Sequence, residues 1–178
     1  APPIVKRKVL ARYAKANAAW IETGTYHGDT THWLSSHFRS VYSIEPCGPL
    51  YARAKDRFFN QNNIQLFQGA SEEIFDSICE LIEDRTDVCF WLDGHVSEQG
   101  TYQGTMPTPI LEELHVIQKH LFRWSRVIVF VDDLRLFEGS PYQQDGYPAL
   151  ESLLEWGARN NMKNLVEHDI MIMMREIL

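Results

Sequence analysis

Two nearly continuous apolar runs, VCFWL at 88–92 and VIVFV at 127–131, each followed at once by an aspartate, constrain this chain more than any other feature. A strand that is apolar at every position must be covered on both faces, which is the condition of central strands in a parallel sheet flanked by helices. Strands are therefore expected at 19–23, 40–45, 64–68, 87–93 and 126–132, separated by segments of helical period. Ile74, Phe75, Ile78, Leu81 and Ile82 put one apolar stripe on a helix that starts near Ser71. Thr108 and Pro109 read as N-cap and first residue of a helix carrying Leu111, Leu114 and Leu121, and Leu150, Leu153 and Leu154 mark a further helix after Pro148. At the end, 164–167 and 170–175 read as two strands around a His168-Asp169 turn. The fold class is α/β, doubly wound, with a mostly parallel sheet of seven strands and a C-terminal antiparallel hairpin.

With 178 residues, 44% of them hydrophobic, the chain suits one domain, a helix over 1–18 followed by a core over 19–178. A net charge of -7 argues against a general nucleic-acid binder, so no nucleic-acid partner is expected. The basic residues Lys6, Arg7, Lys8, Arg12 and Lys15 read as the solvated face of the first helix. Cys47, Cys79 and Cys89 form no CxxC pair, so neither a disulfide framework nor a zinc site is suggested and a cytoplasmic setting is expected. The apolar runs are too short to span a membrane, and no secretion-signal pattern opens the chain.

In an open parallel sheet, ligands bind beyond the carboxyl ends of the strands, where helix N-termini and loops converge. The first strand leads into ETGTYHGD, Glu22 to Asp29, where Gly24 and Gly28 allow a tight turn and a close approach of ligand to backbone. The second ends in SIEP, whose Glu45 lies where a carboxylate can accept both hydroxyls of a ribose. The third runs into QGAS, with Gly69, Ala70 and Ser71; the fourth into LDGH, with Asp93 and His95; the fifth into VDD, with Asp132 and Asp133. Polar or glycine residues at five successive strand ends are hard to explain by packing.

From about Trp20 onward these residues resemble the class I S-adenosylmethionine-dependent methyltransferases, which implies a Rossmann-like fold. The family's first loop is an acidic-x-Gly-x-Gly-x-Gly signature; here Glu22, Gly24 and Gly28 match, while Tyr26 stands at the middle glycine. The resemblance implies S-adenosylmethionine as cofactor. Glu22, Thr23, Gly24, Thr25, Gly28 and Thr30 would then hold its amino-acid part, Glu45 with Pro46 its ribose, and Gly69, Ala70 and Ser71 its adenine side, with Asp93 nearby.

The chain also resembles the metal-dependent O-methyltransferases of catechol and macrocin type, in which an Asp ends the fourth strand and an Asp pair or Asp-Asn ends the fifth. Asp93, Asp132 and Asp133 stand at those positions, and Mg²⁺ or a similar divalent cation suits such oxygen ligands. His95 takes the place of the family's acidic proton acceptor, and its ordinary pKa suits that task; the alternative is a loop histidine bound to backbone. The implied reaction is O-methylation of a small hydroxylated acceptor, with Asp93 and His95 catalytic. Residues 96–107 and 134–147 are candidate lids, in which Tyr102, Gln103, Arg135 and Tyr142 could meet the acceptor, and a homo-oligomer is possible. His27 reads as turn-shaping, Cys47 as incidental, and Trp33, Phe58, Phe59, Trp124 and Trp156 as core.

The same residues leave two rival readings open. A nicotinamide-dependent oxidoreductase would use Glu45 in the same way but needs Gly-x-Gly-x-x-Gly, which GTYHGD does not match. A non-catalytic cofactor-binding module would keep the sheet without the chemistry.

Overall fold

The computed structural model describes residues 1–93 and 108–176. In chain order the elements are α1 (Pro3–Tyr13), β1 (Ala19–Thr23), α2 (Asp29–His37), β2 (Ser40–Glu45), α3 (Gly48–Arg57), β3 (Ile64–Gln68), α4 (Ser71–Glu80), β4 (Asp87–Leu92), α5 (Ile110–His120), β5 (Arg126–Val131), α6 (Leu150–Arg159), β6 (Lys163–Glu167) and β7 (Ile170–Glu176). The seven strands form one sheet in the order β3-β2-β1-β4-β5-β7-β6, in which β7 runs antiparallel to both β5 and β6. The strand order reverses at β1, which pairs with β2 on one side and β4 on the other.

The continuous apolar runs are explained by two cores. Along β4, Val88, Phe90 and Leu92 enter one cluster while Cys89 and Trp91 enter the other. Along β5, Val127, Val129 and Val131 alternate in the same way with Ile128 and Phe130. The first cluster is closed by Phe75 and Ile78 of α4, Leu114 and Ile117 of α5, and Leu153 and Trp156 of α6. The second is closed by Val9 and Leu10 of α1 and Leu34 of α2, around Trp20, whose ring stacks on Phe130 at 5.6 Å. With side chains leaving a strand on alternate faces, both faces need apolar residues once helices cover both. The hairpin closes on His168 and Asp169, both at positive φ, as a two-residue turn between right-twisted strands requires.

Some expectations about single residues are corrected. The helix expected at Thr108 starts at Ile110 with Pro109 as N-cap, so its buried stripe is Ile110, Glu113, Leu114 and Ile117, and Leu111 is exposed. Leu154 and Leu81 are also exposed, and Phe59 is 85% exposed, lying beyond the end of α3 at Arg57 while its neighbour Phe58 is buried. No helix among the described residues is long and apolar enough to cross a membrane.

Candidate active site

The loop after β1 is built around two buried carboxylates. Glu22 and Glu45 are 1% and 4% exposed. Glu22 accepts hydrogen bonds from the hydroxyls of Thr31 at 2.5 Å and Ser43 at 2.6 Å. Burial raises its pKa to about 7 against the pull of those two hydroxyls, with Asp93 and Glu45 adding to the rise. Glu45 accepts from the backbone N–H of Tyr26 at 2.7 Å and of Cys47 at 2.8 Å, one on each oxygen. Burial raises its pKa as well, opposed by those two N–H groups. Each oxygen of a carboxylate has a second lone-pair direction, which fits the two hydroxyls of a ribose.

Tyr26 adopts φ 51, the left-handed conformation that a glycine takes without strain, and Gly24 and Gly28 flank it at φ 86 and 78. Its ring lies against that of His27, with centroids 3.9 Å apart. Gly28 is the N-cap of α2, and a Cβ there would lie 2.8 Å from the ring of Phe58. Thr25 is buried with its hydroxyl 2.7 Å from that of Ser43, whereas Thr30 is half-buried in the first turn of α2.

On the β3 side Gly69 and Ala70 lead into α4, and Ser71 donates its hydroxyl to Glu113 at 2.6 Å. Glu113 is 1% exposed, and burial raises its pKa to about 7. This carboxylate was not anticipated. The available signal was a glutamate on the core-facing stripe of α5, among Ile110, Leu114 and Ile117.

The ends of β4 and β5 bring together the three expected aspartates. Asp93, Asp132 and Asp133 each place a carboxylate oxygen within 4.8 Å of the others. Asp133 stands at φ 53, and its N–H donates to Asp132 Oδ1 at 2.8 Å, so the strained turn aims both side chains to one place. Burial raises the pKa of Asp132, and Asp93 and Asp133 raise it further, while Lys6 opposes. A cleft beside them is lined by Asp93, Glu113, Asp132, Asp133, Phe137 and Tyr147. Three oxygen donors at this separation fit a hard divalent cation.

Lys6 is the main correction. It is no part of a solvated face: its ammonium donates to Asp132 and lies 3.4 Å from Asp133 Oδ1, with the side chain 20% exposed. Burial works against this charge, but Asp132, Asp133 and Asp93 outweigh it and raise the pKa. Arg135, expected toward an acceptor, donates instead to Asp133 at 2.6 Å and to Asp169. The second expected lid is anchored at both ends, since Leu134, Phe137 and Tyr147 are buried and 141–146 is exposed. His95 and residues 96–107, with Tyr102 and Gln103, lie outside the described residues. Burial pushes the thiols of Cys79 and Cys89 up, which makes them inert.

No family model matches the chain, and no curated protein matches it in sequence. Solved structures do match in fold. A Streptococcus mutans protein assigned as a methyltransferase, in complex with SAH, is 15% identical at a TM-score of 0.62, over 99% of this chain and 98% of that one. A Clostridium thermocellum protein assigned as an rRNA methylase is 14% identical at a TM-score of 0.63, over 97% and 95%. The SAH-bound methyltransferase PaMTH1 of Podospora anserina is 13% identical at a TM-score of 0.57, over 90% and 72%. Since one of these is described as acting on RNA, the fold gives no ground for excluding a nucleic-acid acceptor. What the likeness establishes is the architecture: the chain has the Rossmann-like α/β fold of class I methyltransferases, with an antiparallel C-terminal hairpin.

Proposed function

We propose that residues 1–178 form a single-domain S-adenosylmethionine-dependent O-methyltransferase that acts on a small hydroxylated acceptor with a divalent cation held by Asp93, Asp132 and Asp133. The observation that carries this reading is the convergence of those three carboxylates within 4.8 Å beside the Glu22 and Glu45 loop. When bound, the cofactor supplies an electrophilic methyl group and the cation a Lewis acid that lowers the pKa of an acceptor hydroxyl. The chain's own residues supply alignment. Glu45 accepts the ribose hydroxyls, and Gly24 and Gly28 let the amino-acid part approach the backbone. Ser71, fixed by Glu113, bounds the adenine side. Asp93, Asp132 and Asp133 hold the acceptor end, and His95 takes the hydroxyl proton on an imidazole nitrogen.

The buried thiols of Cys79 and Cys89, neither in a disulfide, suit a reducing, cytoplasmic setting. The test is transfer of a labelled methyl group from S-adenosylmethionine to a panel of vicinal diols, with Mg²⁺ or with EDTA. Transfer to a diol that EDTA abolishes is expected. Transfer indifferent to EDTA removes the metal from the account, and transfer to RNA but to no diol replaces the acceptor.

A further inference from the structure

The first helix runs against β5, from Lys6 at Asp132 beyond the strand's end to the Tyr13 carbonyl, which accepts from Arg126 at the strand's start at 2.7 Å. Its fixings lie mostly beyond Lys6. Val9 and Leu10 are in the core, and Arg12 and Tyr13 both bond Glu167. Arg7 reaches the Asp29 carbonyl at 3.0 Å, and the residues before Val5 are exposed. The Lys6 ammonium is therefore delivered to the three aspartates by a four-carbon stem on a docked helix, 5.9 Å from the ring of Trp91. On the outer side Arg135 holds Asp133 and Asp169.

We propose that Lys6 is a tethered competitor for the divalent-cation site: its ammonium neutralises the aspartates when no ion is bound, and it withdraws when an ion enters. The inference rests on the metal reading given under Proposed function. Three clustered carboxylates leave a charge that a low-dielectric site does not tolerate without a counter-ion. Lys6 meets that need through Asp132 and Asp133, two of the three side chains that a cation would bind. A monovalent ammonium and a divalent ion in contact with the same carboxylates exclude one another. The flexible lysine stem lets the ammonium leave by rotamer change while Val9, Leu10 and Tyr13 keep the helix docked. Arg135 stays on the solvent side of Asp133 in either state.

The experiment is calorimetric titration of MnCl₂ into the full chain and into Lys6→Met, which keeps the stem and removes the charge. Lys6→Gln is carried in parallel in case the first variant does not fold. Mn²⁺ is expected to bind the variant about tenfold more tightly, with the gain removed when Asp93→Asn is added. Lys6→Arg is expected to stay near the parent. Equal affinity in parent and variant overturns the proposal, and so does weaker binding in the variant, which would make Lys6 a support of the site. If Mn²⁺ binds neither protein while SAH binds both, the competition and the metal fall together and the methyltransferase reading stands.

Discussion

Ser43 on β2 is the register partner of Glu22 on β1, and its hydroxyl donates to the Glu22 carboxylate at 2.6 Å. The pair sits at the point where the strand order reverses, which is where a doubly wound sheet opens a crevice for a ligand. Even with Thr31 donating as well, burial holds the Glu22 pKa at about 7, and Glu113 stands at about the same value for the same reason.

A falling stability with rising pH follows. Both groups ionise near 4.5 when the chain is unfolded and near 7 when it is folded, so between these values the folded state binds more protons. Their contribution is fully present below about pH 4.5 and is lost as pH rises through about 7. The melting temperature of the cofactor-free protein should drop between about pH 5 and about pH 8, and Glu22→Gln with Glu113→Gln should flatten that slope. A melting temperature that rises over this interval in the parent contradicts the assignment.

Tyr26→Gly should fold at least as well as the parent. The φ of 51 at this position carries strain for tyrosine and none for glycine, and the residue is 42% exposed, so little packing is lost. Urea unfolding should place the variant within about 1 kcal/mol of the parent, with the Tyr26 N–H bond to Glu45 retained and SAH affinity kept. A loss well beyond that would mean that the ring against His27 matters more than the backbone.

Gly28→Ala should be costly. Its φ of 78 and the Phe58 ring 2.8 Å from the added Cβ act in the same direction, and the ring is 5% exposed with little room to turn away. Denaturation should show a loss of about 1–3 kcal/mol, and SAH should bind more weakly because the cap of α2 shifts. Unchanged stability and SAH affinity would show that the loop can adapt.

Asp132→Ala with Asp133→Ala should abolish the dependence of methyl transfer on Mg²⁺ and leave SAH binding in place, since Glu22 stays held by Thr31 and Ser43 and Glu45 by the N–H groups of Tyr26 and Cys47. Methyl transfer at the parent rate, read with labelled cofactor, is the outcome that contradicts the metal role of the pair.

The strands were legible because their apolar residues serve two cores at once: Trp20, Trp91 and Phe130 face one side, and Ile21, Phe90 and Val129 the other. The aspartates were legible because strand ends in this topology converge. Lys6 reads from the sequence as part of a solvated face and Glu113 draws no attention, although both stand on core-facing stripes, Lys6 three and four residues before Val9 and Leu10 and Glu113 beside Leu114. A charged residue on such a stripe has to find a partner in the fold, and sequence spacing does not say which one. Thr31 and Ser43 were missed for a related reason, since a hydroxyl gains its meaning from a carboxylate on another element.

The central claim is that the crevice at Glu22, Gly24, Gly28 and Glu45 binds the methyltransferase cofactor, and calorimetric titration with SAH tests it most directly. The account predicts one SAH per chain with a dissociation constant of about micromolar order, weakened at least about tenfold by Glu45→Ala, and no comparable binding of NAD. Absence of heat with SAH, together with an unchanged melting temperature at SAH far above that range, would contradict it.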